Sequence, residues 1–327
     1  MSKHDIVVIG ASAGGVMALQ TVLSGLPKDL PASVFVTIHT ASTAGTFLDE
    51  VLGKDCPLPV RLALDKEKII PGRVYIAPPN LHLTIKRGYI KNRFMAKENG
   101  SRPAIDPMFR SAAHSYSRRV IGVLLTGNLD DGTAGLGVIQ DEGGIIIVQD
   151  PNDAVYPDMP ISAIQSLKPD HVVPLGRIAP LLTALVDADV TGEAATEETD
   201  IKQLEPVMTC PGCGGVLHLF ANNKVIWYQC QVGHRFTSEA MMLEQDTVVE
   251  EYFWRMLSIL KEKEEVARTM ASDARSTLRP LVNPEYFDKQ AQASAEAQKR
   301  IHDILDELGP VLFPGTPKDN PVVEDQT

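Results

Sequence analysis

Cysteine is scarce in this chain, positive charge is in deficit, and long apolar runs are missing. Four cysteines in 327 residues are too few for a disulfide framework. Three of them, Cys210, Cys213 and Cys230, crowd into one short region with His234, which in a reducing compartment favours metal over disulfide. Asp plus Glu outnumber Lys plus Arg by 42 to 31, a net charge of −11. That sign disfavours a nucleic-acid backbone or an anionic membrane as partner and leaves a protein or a neutral small molecule. No stretch approaches membrane-spanning length, and no apolar signal segment precedes the strand-like Asp5 to Ile9. The expectation is a cytoplasmic protein with no direct membrane insertion. No internal repeat at solenoid periods is evident either.

From residue 5 to about residue 176, short aliphatic runs alternate with helix-like segments, the pattern of buried parallel strands and crossover helices. The fold class expected is α/β, a doubly wound, mainly parallel sheet with flanking helices, followed by a small zinc-ribbon-like module and a C-terminal helical hairpin. The clearest strands are Ile6 to Ile9, Val34 to Ile38, Val74 to Ala77, Val120 to Leu125 and Ile145 to Val148. Asp106 before Pro107 reads as an N-cap opening a helix through about Tyr116. The run TGEAATEETD from Thr191 to Asp200 has only negative charge and no large apolar residue, and reads as a solvated linker.

Val249, Phe253, Met256, Leu260, Ala267 and Met270 recur at near-heptad spacing in a helical stretch from about Ser238 to Arg275, a face that wants a partner. Asn283-Pro284-Glu285 restarts a helix carrying Phe287, Ala291, Ala297, Ile301, Ile304 and Leu308, so the two can pair as an antiparallel hairpin. The expected domains are a catalytic domain over 1–186, an acidic linker over 187–204, the ribbon over 205–237, the hairpin over 238–309 and a disordered tail over 310–327.

The first strand ends in Gly10-Ala11-Ser12-Ala13-Gly14-Gly15 and leads into a helix-like run. A serine on such a turn, with backbone N–H groups and a helix dipole ahead of it, has the form of a nucleophile elbow. A dinucleotide-binding turn or simple packing is the alternative from this segment alone. A dinucleotide site needs an acid after the next strand, and Val34 to Ile38 delivers His39 instead, which disfavours a nucleotide-binding oxidoreductase. Val120 to Leu125 leads into Thr126-Gly127-Asn128-Leu129-Asp130-Asp131-Gly132, where either aspartate also suits a plain turn. Three strand ends thus supply Ser, His and Asp, the set that deprotonates a hydroxyl and holds the resulting imidazolium. Their chain order is not that of the α/β-hydrolases.

Asp5 to about Val173 resembles the catalytic domain of the chemotaxis protein-glutamate methylesterases. The matching segments are IVVIGASAGG, the strand ending in His39, PGRVYIAPPNLHL (71–83), RPAIDPMFRSAA (102–113), GVLLTGNLDDGTAGL (122–136) and MPISAI (159–164). The resemblance implies Ser12 as nucleophile, His39 as general base and then acid, and Asp131 rather than Asp130 as the residue orienting His39. The implied reaction is hydrolysis of glutamate γ-methyl esters on a methylated chemoreceptor, with glutamine deamidation as a second activity and no cofactor for catalysis. Backbone N–H groups of Ala13 and Asn128 are the oxyanion-hole candidates.

Three departures from the family pattern stand out. The esterase begins at residue 5 without the receiver domain that many members carry, so control must differ or be absent. Asn128-Leu129 replaces a more usual methionine and glycine, and leucine does not share glycine's backbone freedom. Thr40 follows His39 where a bulkier apolar residue is common.

In the second module, Cys210-x₂-Cys213 and Cys230 with His234 are separated by sixteen residues, the spacing of a zinc ribbon with a closed structural site. Glycines 212, 214 and 215 turn the first knuckle. His218 is an alternative fourth ligand. Buried, reduced cysteines without metal are the weaker alternative. The apolar residues between the pairs suit a hairpin too slight to fold without metal. Similar CPxCGG and CxVGH modules follow the esterase in some receiver-less relatives. The tail is expected to dock to a receptor array, a methyltransferase or another signalling protein. A rival reading is a catalytically weakened adaptor that binds proteins through this tail.

Overall fold

The computed structural model describes residues 3–39, 47–190, 202–203, 208–221, 225–276 and 283–312. Thr40, most of the acidic linker and the tail beyond 312 lie outside them. The described chain divides into two compact units, Met1–Met241 and Met242–Thr327.

The first unit begins with β1 (Ile6–Ala11), α1 (Gly15–Ser24), β2 (Ser33–Ile38), α2 (Leu48–Gly53), β3 (Val60–Leu62) and β4 (Arg73–Ile76). A hairpin of β5 (His82–Lys86) and β6 (Tyr89–Arg93) follows, then α3 (Ile105–Tyr116), β7 (Val120–Leu124) and α4 (Thr133–Asp141). β8 (Ile145–Gln149), α5 (Asp158–Ser166), β9 (His171–Val173) and α6 (Leu175–Asp187) complete the α/β part. Its seven strands are parallel and lie in the order β3-β4-β2-β1-β7-β8-β9.

Strands buried on both faces read as nearly continuous apolar runs; Ile6–Ala11 and Ser33–Ile38 are buried throughout, with the Thr37 hydroxyl of β2 on Met108 Sδ at 3.2 Å. Alternate residues feed two cores. Val7 and Ile9 join Leu19, Leu23 and Leu182 on one face, while Ile6 and Val8 join Phe109, Leu136 and Met159 on the other. The chain proceeds outward from β1 through β2 and returns to the opposite side at β7, so the topological switch lies between β1 and β7, where such sheets open a crevice at their carboxyl ends.

The expected cap at Asp106 is corrected: α3 starts at Ile105 with Ala104 as N-cap. The Asp106 side chain instead accepts the Gly135 N–H at 2.6 Å, tying α3 to α4.

The ribbon belongs to the same unit. It comprises β10 (Lys202–Gln203), β11 (Met208–Thr209), β12 (Val216–Ala221), β13 (Ile226–Cys230) and β14 (Arg235–Phe236). β12, β13 and β14 form an antiparallel meander over a buried cluster of Cys210, Leu217, Cys230, Phe236 and Met241.

The second unit holds two helices, α7 (Ser238–Arg275, from Met242 onward) and α8 (Pro284–Leu312). They run antiparallel: Trp254 packs edge-on against His302, Gln298 Nε2 donates to Glu264 Oε2 at 2.8 Å, and Arg275 pairs with Asp288. Leu257, Ala267, Ala271, Ala291, Ser294 and Ile301 are buried. Of the expected stripe on α7, Ala267 is buried and Phe253, Leu260 and Met270 are half-buried, whereas Val249 and Met256 are exposed and join Tyr252, Ile259 and Val266 in an outward row.

Candidate active site

β1, β2 and β7 end side by side, and each delivers one polar side chain to the crevice. Ser12 follows β1 on a turn whose Gly14 has φ 72°, a left-handed conformation that glycine takes without cost. Ser12 N donates to Thr126 O at 3.0 Å, and His39 N to Ala11 O at 3.3 Å. Gly127 lies against Met159 and Ser12, and a Cβ there would come within 2.7 Å of Ser12 Cβ. Thr126 closes the turn, its hydroxyl reaching Ala13 O at 3.1 Å and accepting the Tyr156 N–H at 2.8 Å.

Ser12 Oγ is 3.0 Å from His39 Nδ1, and His39 Nε2 is 2.7 Å from Asp131 Oδ2. Asp131 is buried, whereas the His39 side chain keeps 19% of its surface exposed. A carboxylate only accepts hydrogen bonds, so Nε2 carries the proton and Nδ1 presents its lone pair to the Ser12 hydroxyl. Burial by itself pushes the Asp131 carboxyl up. The hydrogen bond and charge of His39, the Ile105 N–H at 2.7 Å and the Asn99 amide at 3.1 Å outweigh it and hold Asp131 below the usual carboxylate range. Asp106 N adds a longer bond at 3.3 Å, so the amino end of α3, with its positive dipole, faces this carboxylate.

Asp130 is turned elsewhere, and its Oδ1 accepts the Thr237 hydroxyl at 2.7 Å. Burial pushes Asp130 up to about 6. Asp106, also buried and beside Asp131, is pushed up to about 7. Leu129 adopts φ 63°, the region in which the corresponding glycine of the family pattern is at ease. Among the described residues, no acceptor is seated on the backbone N–H of Ala13 or Asn128. Two contributors lie outside the motif segments and were missed from sequence: Asn99, just before the 102–113 segment, which donates to Asp131, and Thr237, which holds both Asp130 and Asn99.

The ribbon brings Cys210, Cys213, Cys230 and His234 together, with donor atoms all within 4.8 Å of one another. The Sγ atoms of Cys213 and Cys230 are 3.7 Å apart, and Cys230 Sγ is 3.6 Å from His234 Nδ1. Bonds of about 2.3 Å to sulfur and 2.0 Å to nitrogen at a tetrahedral ion separate such donors by about 3.8 and 3.5 Å. The cysteines are unbridged. Gly214 and Gly233 turn the two knuckles at φ 71° and 103°. The alternative ligand His218 lies outside the cluster and pairs with Gln203.

Residues 7–182 match the family model described as CheB methylesterase. A protein of Leptospira interrogans is 38% identical over 184 residues, 56% of this chain and 95% of that one. Protein-glutamate methylesterase/protein-glutamine glutaminase 4 of Geobacter metallireducens is 36% identical over 186 residues, 56% of this chain and 54% of its own. The crystal structure of the Thermotoga maritima CheB methylesterase catalytic domain superposes with a TM-score of 0.55 at 36% identity, covering 57% of this chain and all of that domain. The family model, the relatives and the shared seven-stranded parallel sheet agree, and the chain belongs to the CheB methylesterase family.

Proposed function

We propose that this protein hydrolyses glutamate γ-methyl esters on methylated chemoreceptors in chemotaxis-type signalling, with glutamine deamidation as a second activity, and that Ser12, His39 and Asp131 form its catalytic triad. The unbroken chain from Ser12 Oγ through both ring nitrogens of His39 to Asp131 carries this reading. Nδ1 takes the Ser12 proton as Oγ adds to the ester carbonyl, and Asp131 holds the imidazolium. The N–H groups of Ala13 and Asn128 receive the oxyanion. Collapse of the tetrahedral species expels methanol, protonated by His39 Nδ1, and leaves a γ-glutamyl ester on Ser12. Water, deprotonated by the same nitrogen, then releases glutamate. An amide follows the same path and releases ammonia.

Cys210, Cys213, Cys230 and His234 hold a structural zinc ion, supported by donor spacings that fit a tetrahedral site with no open position. Catalysis needs no cofactor. The exposed row of Tyr252, Met256, Ile259 and Val266 supports docking of the helical tail to a helical signalling partner, such as a receptor or a methyltransferase. Among the described residues no helix is long and apolar enough to cross a membrane, in keeping with a place of action in the cytoplasm.

The test is release of methanol from radiolabelled methylated receptors, together with fluorophosphonate labelling. Turnover with the label on Ser12 is the expected result. A chain that neither labels nor turns over is the weakened adaptor instead.

A further inference from the structure

Asn99 stands between the ribbon and Asp131. Its side-chain Nδ2 donates to Asp131 Oδ1 at 3.1 Å, and its Oδ1 accepts the Thr237 N–H at 3.0 Å. Its backbone N donates to Arg235 O at 2.8 Å, and Arg235 N donates to Lys97 O at 3.4 Å. β14 and Thr237 therefore run alongside residues 97–99 as a short parallel pair. β14 starts one residue after His234, whose carbonyl accepts the Cys230 N–H at 3.1 Å, so the strand that holds Asn99 is the continuation of the second knuckle. Two of the five buried residues in the ribbon's cluster, Cys210 and Cys230, are also donors of the Cys/His set, which leaves little to order β14 without an ion.

Around this junction lie buried charges from both sides. Arg110 pairs with Glu98 at 2.7 Å, and the Arg235 guanidinium lies 4.3 Å from the Trp227 ring centre. Asn99 itself has φ 49°, a left-handed conformation in which Asn, Asp and Gly are favoured.

Building on the proposed triad and metal site, we infer that Asn99 is a positioning residue for Asp131 and that the Cys/His knuckle governs it, so that metal occupancy sets the esterase rate. With the knuckle closed, β14 and Thr237 fix the Asn99 amide on Asp131. With the knuckle open, Asn99 loses the Thr237 N–H from its side-chain oxygen and the Arg235 carbonyl from its backbone N–H, and Asp131 Oδ1 is left with the longer bond from Asp106 N.

The test uses the full chain, as wild type and N99G, which keeps the left-handed backbone, each zinc-loaded and after chelation. N99G is expected to lower kcat about tenfold at constant KM and undiminished zinc content. An Asp131 short of one donor grips protonated His39 harder, so the acid limb of the kcat/KM profile moves to higher pH. Chelation of wild type lowers kcat by a similar factor, zinc restores it, and in N99G chelation adds less than about twofold. The downfield proton signal of His39 Nε2–H shifts on chelation in wild type and stays in N99G.

Wild-type kcat and pH profile in N99G would overturn the positioning role, and losses that multiply would overturn the coupling. Should N99G fail to fold, N99D, which keeps both shape and backbone, takes its place with a larger loss expected from its carboxylate facing Asp131. Failure of the underlying function looks different, because wild type would then lack turnover or zinc before any substitution at 99.

Discussion

Asp130 and Asp131 are neighbours in the chain and serve opposite partners: Asp131 accepts His39 Nε2–H at 2.7 Å, and Asp130 accepts the Thr237 hydroxyl at the same distance. The left-handed Leu129 ahead of them sets the direction from which the pair enters the crevice. Asp131→Asn is expected to lower kcat about 10⁴-fold, since an amide at that point favours the wrong imidazole tautomer. Asp130→Asn should stay within about tenfold of wild type, its hydroxyl partner being met equally well by an amide oxygen. Steady-state kinetics on a methyl ester compares the two, and equal losses would reverse the assignment.

Ser12→Ala removes the proposed attacking atom and is expected to reduce ester hydrolysis by roughly 10⁴-fold or more while leaving the melting temperature unchanged. The Ser12 side chain makes one hydrogen bond, to His39, so little folding energy depends on it. Unaltered turnover would refute its role as nucleophile.

Leu129 is held at φ 63°, which costs a side-chain-bearing residue about 1–2 kcal/mol. Leu129→Gly removes that strain against a smaller entropic loss and should stabilise the fold by up to about 1 kcal/mol. Leu129→Val, branched at Cβ, should destabilise it by more than about 1 kcal/mol. Denaturant midpoints decide, and a less stable glycine variant would show that the leucine side chain's packing outweighs its backbone.

Asp106 is pushed up to about 7 by burial and then by Asp131, against an unfolded value of about 3.9. The folded state retains this proton where the unfolded state has lost it. Its contribution to stability is thus complete below about pH 4 and disappears as the pH rises through about 7. Asp106→Asn keeps an oxygen for the Gly135 N–H and has no charge to bury. Its unfolding free energy should fall less than that of wild type between pH 5 and pH 8, and parallel curves would contradict the shift.

Much of the α/β part was legible because its residues follow two strong tendencies: nearly continuous apolar strands where both faces are covered, and clusters of polar groups where strands end. β1 and β2 show the first, and Ser12, His39 and Asp131 the second. Asp106 was misread because an aspartate before proline fits a cap on local grounds, while its actual partner, Gly135, lies 29 residues on. Asn99 with Gly100 reads locally as a turn, but nothing local points to its meeting with Thr237, 138 positions away, which depends on how the ribbon sits on the sheet. The stripe on α7 was read in part: Phe253, Leu260 and Ala267 share the inward row with Leu257, while Val249 and Met256 fall on the exposed row beside it, because heptad spacing leaves open which of two adjacent rows turns inward.

Gly127 has a consequence for how this crevice can change. Its missing side chain is the space that Ser12 Cβ and the Met159 thioether fill, so the serine and the methionine share one hydrogen-sized gap. A single methyl at 127 would meet both side chains closer than van der Waals contact and is expected to push the serine off its histidine.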